Sequence, residues 1–129
     1  MATNKTNRFS IFHRITSFKF AINGLKIFFK FEHNARLHVF FAILTCIFGF
    51  LFNVTNTEWL TIIVVIGLVF TLEIINTAIE HLADFISPEK NPKIKIIKDL
   101  AAAAVLIASF TALLAGIIIF LPKILDLIF

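Results

Sequence analysis

Three long apolar runs, set apart by short polar stretches, dominate the chain. Residues 37–54 form a run of about eighteen positions without a charge, long enough to cross a bilayer as a helix. The second run, 59–80, opens on Trp59, a residue common at membrane interfaces, and continues helically to Asp84. The third, 100–121, follows a basic helical lead-in from Lys93 to Asp99 and is expected to end at Pro122. Asn53-Val-Thr-Asn-Thr-Glu58 reads as a tight turn, and Ser87-Pro-Glu-Lys-Asn-Pro92 as a loop by its prolines. Glu32-His-Asn-Ala-Arg-Leu-His38 is a polar knot ahead of the first span. Before it, residues 8–31 alternate differently. Lys19, Asn23, Lys26 and Lys30 make one helical stripe, with Phe12, Ile15, Phe18, Ile22, Leu25 and Phe29 on the other side. That predicts an amphipathic helix lying in the headgroup plane, as an anchor, a cover over a site, or both. Residues 1–7 are polar and expected to fray. The pattern as a whole predicts an all-α membrane protein, a surface helix plus three transmembrane helices, forming one domain over 1–129.

Composition agrees. The 129 residues are 59% hydrophobic, with mean hydropathy +0.94, seventeen Phe and no Tyr. The net charge of +4 comes from basic residues that flank the apolar runs, so anionic headgroups are a simpler partner than nucleic acid. No cleavable leader is expected, because the N-terminus stays polar and basic for too long. Cys46, the one cysteine, lies within an apolar run and reads as a small buried residue. Seven Lys or Arg precede the first span, none lies between the first two, four lie between the second and third, and Lys123 follows. The positive-inside rule then places the N-terminus and the 85–99 segment in the cytoplasm.

Candidate chemistry sits at the end of the second run. Glu73, Asn76, Glu80 and Asp84 recur at i, i+3, i+7 and i+11 and share one helical face. A carboxylate near the bilayer centre costs about 2.5–3.5 kcal/mol by insertion scales, a cost that calls for a use. With the second span entering from outside, Glu73 lies about 10 Å deeper than Glu80 at 1.5 Å per residue. The row thus runs from the inner leaflet to water, as a reaction between a lipid hydroxyl and a soluble cosubstrate needs. Glu73 suits a general base, since low-dielectric surroundings make a carboxylate a stronger proton acceptor; the bland reading is a protonated structural Glu bonded to a neighbouring helix. Glu80 and Glu32 both fall at the cytoplasmic interface and can ligate magnesium, which takes one or two carboxylates plus phosphate oxygens; equally, they are ordinary solvated charge. Lys98 can neutralise phosphate or simply anchor the helix end. His33, His38 and His81 show no zinc spacing and read as interfacial hydrogen-bonding groups. The small residues Ala104, Ala108, Ala112 and Gly116 read as a close-packing stripe. A glycine-rich phosphate loop and a soluble-kinase signature are both absent, so a nucleotide must be held by side chains and metal. Phosphoryl transfer asks mainly for positioning, charge neutralisation and a base.

The segment Glu73-Ile-Ile-Asn-Thr-Ala-Ile-Glu-His-Leu-Ala-Asp84 resembles the signature of the small prokaryotic diacylglycerol kinase and undecaprenol kinase family. Lys98-Asp99-Leu-Ala-Ala-Ala-Ala-Val-Leu106 resembles its second motif, and Glu32 to His38 its first. The resemblance covers about residues 18–121. It implies ATP- and magnesium-dependent phosphorylation of a lipid alcohol by a bacterial inner-membrane homotrimer with active sites shared between subunits. It implies Glu73 as base, Glu32 and Glu80 as metal ligands, and Asn76, Asp84, Lys98 and Asp99 as residues that shape the site and hold nucleotide phosphate. Enteric diacylglycerol kinases carry an acidic residue where this chain has His38, and the Glu32–His38 form looks more like undecaprenol kinases of Gram-positive bacteria. Undecaprenol is therefore favoured, with diacylglycerol next. Two readings compete with a kinase. One is an ion- or proton-coupled transport subunit with Glu73 as relay, against which the lack of an inverted repeat counts. The other is a structural subunit whose polar residues are packing glue.

Overall fold

The structure, a computed structural model, describes residues 11–129. Four helices follow in order: α1 (Ile11–Phe31), α2 (His33–Leu51), α3 (Asn56–Ile86) and α4 (Pro92–Ile128). Residues up to Phe31 form one compact unit and Glu32–Phe129 a second. A helix is present as α1 in the stretch expected to be helical; residues 1–10, and the side chain of Phe12, lie outside the described residues. Within α1, apolar Ile15, Phe18 and Ile22 and polar Lys19, Asn23 and Lys26 are alike exposed, so burial marks out no apolar face.

In the second unit, α2, α3 and α4 are each long and apolar enough to cross a membrane. At 1.5 Å per residue, the 31 residues of α3 extend about 46 Å, beyond a hydrocarbon core of about 30 Å. The polar knot is helical rather than a break, since α2 starts at His33. Glu32 takes its N-cap position with extended backbone and makes no side-chain cap bond. The turn after α2 is closed by Asn53 at φ 49, a left-handed conformation that Asn tolerates. A reciprocal cap then starts α3. Thr55 N–H donates to Glu58 Oε2 at 2.7 Å, and Glu58 N–H to Thr55 Oγ1 at 3.3 Å. Helix α4 opens with Asn91, whose side chain accepts from Lys93 N–H, followed by Pro92 in the first turn, where its missing N–H costs nothing.

Two expected boundaries shift: α3 begins at Asn56, inside the stretch expected as turn, and the end of α4 moves past Pro122. Helix α4 does not stop at Pro122 but runs through it to Ile128. A proline inside a helix removes one backbone bond and crowds the preceding turn. Here the turn is held from outside: Ile119, Phe120 and Ile124 pack with Val54, Phe52, Trp59 and Ile62, and Lys123 Nζ lies 3.2 Å from Glu58 Oε2.

Helices α3 and α4 make an antiparallel hairpin that follows a heptad seam. On α3 the buried and half-buried positions recur every four and three residues: Ile62, Ile66, Val69, Glu73, Asn76, Glu80 and Ala83. On α4 they are Ile94, Lys98, Ala101, Val105, Ala108, Ala112, Ala115 and Ile119. Two ion pairs, Asp84–Lys98 near the loop and Glu58–Lys123 at the far end, fix one register along the hairpin. The stripe expected at Ala104, Ala108, Ala112 and Gly116 is buried or half-buried throughout, as close packing requires. Helix α2 lies along α3 with its own seam of small residues. Gly49 sits under the Trp59 indole, and the His38 ring meets Phe70 edge-on with centroids 6.3 Å apart.

Candidate active site

Three consecutive seam positions of α3, where a helix hairpin ordinarily places aliphatic side chains, hold Glu73, Asn76 and Glu80. Glu73 is 2% exposed and Asn76 9%. Asn76 Nδ2 donates to Glu80 Oε1 at 3.0 Å. That bond turns the amide oxygen away from Glu80, and Asn76 Oδ1 and Glu73 Oε2 are both buried without a hydrogen-bond partner among the described residues. Buried oxygens are rarely left so, because each forfeits its water bonds for nothing. Burial falls off toward the α3–α4 loop: Glu80 is half-buried and Asp84 exposed. The row therefore crosses from apolar packing into the region around the loop, in the order its spacing suggests. Asp84 itself leaves the buried seam, whose next member is Ala83.

At the loop end, Lys98 Nζ donates to Asp84 Oδ1 at 2.9 Å. Lys98 stands before the apolar segment 100–121, and this hydrogen bond, helped by the charges of Asp84 and Glu80, holds its ammonium above the usual lysine value against a smaller opposing effect of burial. A lysine so held keeps its charge throughout the neutral range and loses it only as pH climbs through the raised value. Lys95 Nζ pairs with Asp99 Oδ2 one turn away, at 2.5 Å. These two pairs border a cleft of about 660 Å³, also lined by Ser87, Lys90 and Asn91, a size suited to a nucleotide-scale ligand. Glu32 Oε1 lies 3.9 Å from Nε2 of His81, the neighbour of Glu80 in the chain.

Of the residues singled out from the sequence, the fold joins Asn76 to Glu80, Asp84 to Lys98, and sets Asp84, Lys98 and Asp99 on one cleft. Glu32 lies 3.9 Å from His81, and Asp99 pairs with Lys95 rather than with the α3 row. Lys95 is a cleft residue that the polar row on α3 does not point to; its spacing of four from Asp99 is the signal for it in the sequence. Among the described residues no three His, Cys, Asp or Glu side chains form a metal-holding cluster. Glu80, which accepts from Asn76, and Glu32, beside His81, are nevertheless the kind of carboxylate that magnesium takes one or two at a time, with water and phosphate completing its shell.

Helices long and apolar enough to span, a buried carboxylate with one oxygen unsatisfied among the described residues, and a lysine-flanked cleft together define an integral membrane enzyme able to work on charged and apolar partners at once. The chain belongs to the prokaryotic diacylglycerol kinase family, whose model matches residues 19–120. It is 38% identical over 120 residues to the undecaprenol kinase of Bacillus subtilis (strain 168), covering 93% of this chain and 94% of that protein. A diacylglycerol kinase of Synechocystis sp. (strain ATCC 27184 / PCC 6803 / Kazusa) is 31% identical over 114 residues, 88% of this chain and 65% of that protein. A diacylglycerol kinase of Haemophilus influenzae (strain ATCC 51907 / DSM 11121 / KW20 / Rd) is 34% identical over 96 residues, 74% and 81% of the two chains. The chain is accordingly a lipid kinase, with ATP as phosphate donor, rather than a transport or purely structural subunit.

Proposed function

We propose that this lipid kinase phosphorylates undecaprenol, giving undecaprenyl phosphate, with diacylglycerol as the next acceptor in preference. Support for the substrate comes from the Glu32–His38 segment, where His38 stands at the position that is acidic in enteric diacylglycerol kinases, and from likeness over nearly the whole length to a protein named undecaprenol kinase. We place the protein in the bacterial inner membrane with its N-terminus and the α3–α4 loop cytoplasmic, following the Lys and Arg distribution. Residues 1–129 are read as one kinase domain with α1 on the membrane surface, and the assembly as a homotrimer, on the family resemblance.

The observation that carries the mechanism is Glu73, 2% exposed with an Oε2 that no group among the described residues satisfies. In this reading Glu73 takes the proton of the lipid hydroxyl. The hydroxyl oxygen then bonds to the γ-phosphorus as the bond to ADP breaks. Asn76 holds the amide beside this point, tied to Glu80 on the next turn. Lys98 supplies positive charge for nucleotide phosphate, with Asp84, its present partner, and Asp99 shaping the cleft. Glu32 and Glu80 would hold magnesium, which neutralises phosphate charge when bound. The gradient from buried Glu73 to exposed Asp84 matches a reaction whose acceptor is apolar and whose donor is soluble.

The test is direct. Purified protein is given ATP, magnesium and an equimolar mixture of undecaprenol and diacylglycerol, and the phosphorylated lipid is identified by mass spectrometry. Undecaprenyl phosphate as the main product is expected. Phosphatidic acid as the main product would reverse the substrate assignment, and no lipid phosphate at all would overturn the reading.

A further inference from the structure

We propose that Ala35 and Ala108 are specificity-determining residues: their methyl groups bound the space at Glu73 and admit only a slim, unbranched alcohol terminus. This rests on the reading of Glu73 as the base that meets the acceptor hydroxyl.

Both alanines are fully packed, Ala35 at 0% and Ala108 at 2% exposure. Their placement beside Glu73 follows from register. On α4, the pairs Asp84–Lys98 and Glu58–Lys123 set Glu73 level with Ala108, a member of the facing seam. On α2, Ala35, His38, Ala42, Thr45 and Gly49 recur at three and four residues and are all buried or half-buried. Two of them show where that face points, since Gly49 lies against Trp59 and His38 against Phe70, both on α3. Ala35 lies one helical turn before His38. In an antiparallel pair its counterpart lies one turn after Phe70, at Glu73.

The same α2 seam shows what a small residue can make room for. A Cβ added at Gly49 would stand 2.6 Å from the Trp59 ring, so that position is small because a protein side chain fills the space. At Ala35 and Ala108 the neighbour is a carboxylate whose buried Oε2 has no partner, next to an amide oxygen in the same condition. Two orphaned acceptors between two small residues make a place for a donor that no described residue of this chain supplies, and a hydroxyl is such a donor.

Chemistry then distinguishes acceptors. In a polyprenol the hydroxymethyl group is attached to a flat, unbranched vinylic CH. In diacylglycerol it is attached to a tetrahedral carbon bearing an ester. A slot bounded by two methyl groups favours the first. Widening the slot relieves the second, and narrowing it penalises the second more.

The experiment measures kcat/KM for undecaprenol and for 1,2-diacylglycerol, in the same mixed micelles, with wild type and with Ala35→Gly, Ala108→Gly, Ala35→Val and Ala108→Val. KM for ATP and the midpoint of thermal unfolding are read alongside. The glycine variants should raise the diacylglycerol-to-undecaprenol ratio about tenfold and the valine variants lower it by a like factor, the scale at which a pocket reads one methyl group. KM for ATP should stay within about twofold, since the nucleotide cleft is several turns away. A ratio unchanged in the glycine variants, with both acceptors altered equally, overturns the inference and leaves the alanines as packing. Should a valine variant fail to fold, the glycine pair decides alone. Wild-type protein that phosphorylates neither alcohol overturns the reading of Glu73 and this inference with it.

Discussion

The two ends of the α3–α4 hairpin use the same seam for opposite purposes. At the far end the seam positions are Ile62 and Ile119, which close with Phe120, Val54 and Trp59 into an apolar cluster. Toward the loop the same positions hold Glu73, Asn76 and Glu80 opposite an alanine-rich stretch of α4. The far end fills its space with protein. The loop end has two buried oxygens unsatisfied and faces them with the smallest side chains. Each end has an ion pair, but Glu58–Lys123 fastens a helix start to a packed cluster, whereas Asp84–Lys98 borders an open cleft. Stability and chemistry are thus separated along one helix pair, and substitutions at the two ends should fail in different ways.

The sharpest contrast comes from Glu80→Gln, which should lower lipid phosphorylation by about 10²-fold with little change in thermal unfolding, because it removes charge at the reacting end. Ile62→Ala at the far end should cost about 2–4 kcal/mol of stability, read as a lowered unfolding midpoint, while turnover per folded molecule is preserved. Gly49→Ala should destabilise by about 1–3 kcal/mol, since the new methyl meets the rigid Trp59 ring rather than a flexible chain end. Asp84→Asn should raise KM for ATP about tenfold by freeing Lys98 from its position. In the wild type the part of KM that Lys98 sets should be flat across neutral pH, because its raised value keeps it charged. The smallest effect is expected from Thr55→Ala, about 1 kcal/mol of stability through loss of the α3 cap, with activity unmoved.

The sequence foretold the two ends unequally. Glu73, Asn76 and Glu80 stood out because polar residues at helical spacing inside an apolar run have few bland explanations. Helix number and the approximate spans were legible for the same reason, as apolar length is a strong signal. Pairings across the hairpin were not. Asp84–Lys98 and Glu58–Lys123 depend on the register of two helices, which no local pattern states. Pro122 misled because its local cost is plain in the sequence, whereas the packing of Ile119, Phe120 and Ile124 that carries the helix past it is tertiary. The Thr55–Glu58 cap is written in the sequence as a motif, but it overlaps the polar stretch that marks the turn. Ala35 gave no signal alone; it acquires meaning only once Gly49 and His38 show which way its helix face points.

The division between the two ends is tested most directly by measuring ATP-dependent lipid phosphorylation per folded molecule for Glu73→Gln and Ile62→Ala side by side. The account predicts that Glu73→Gln loses about 10²–10⁴-fold in turnover while unfolding as the wild type does, and that Ile62→Ala does the reverse. Turnover retained by Glu73→Gln, or lost only in proportion to lost folding, would contradict it.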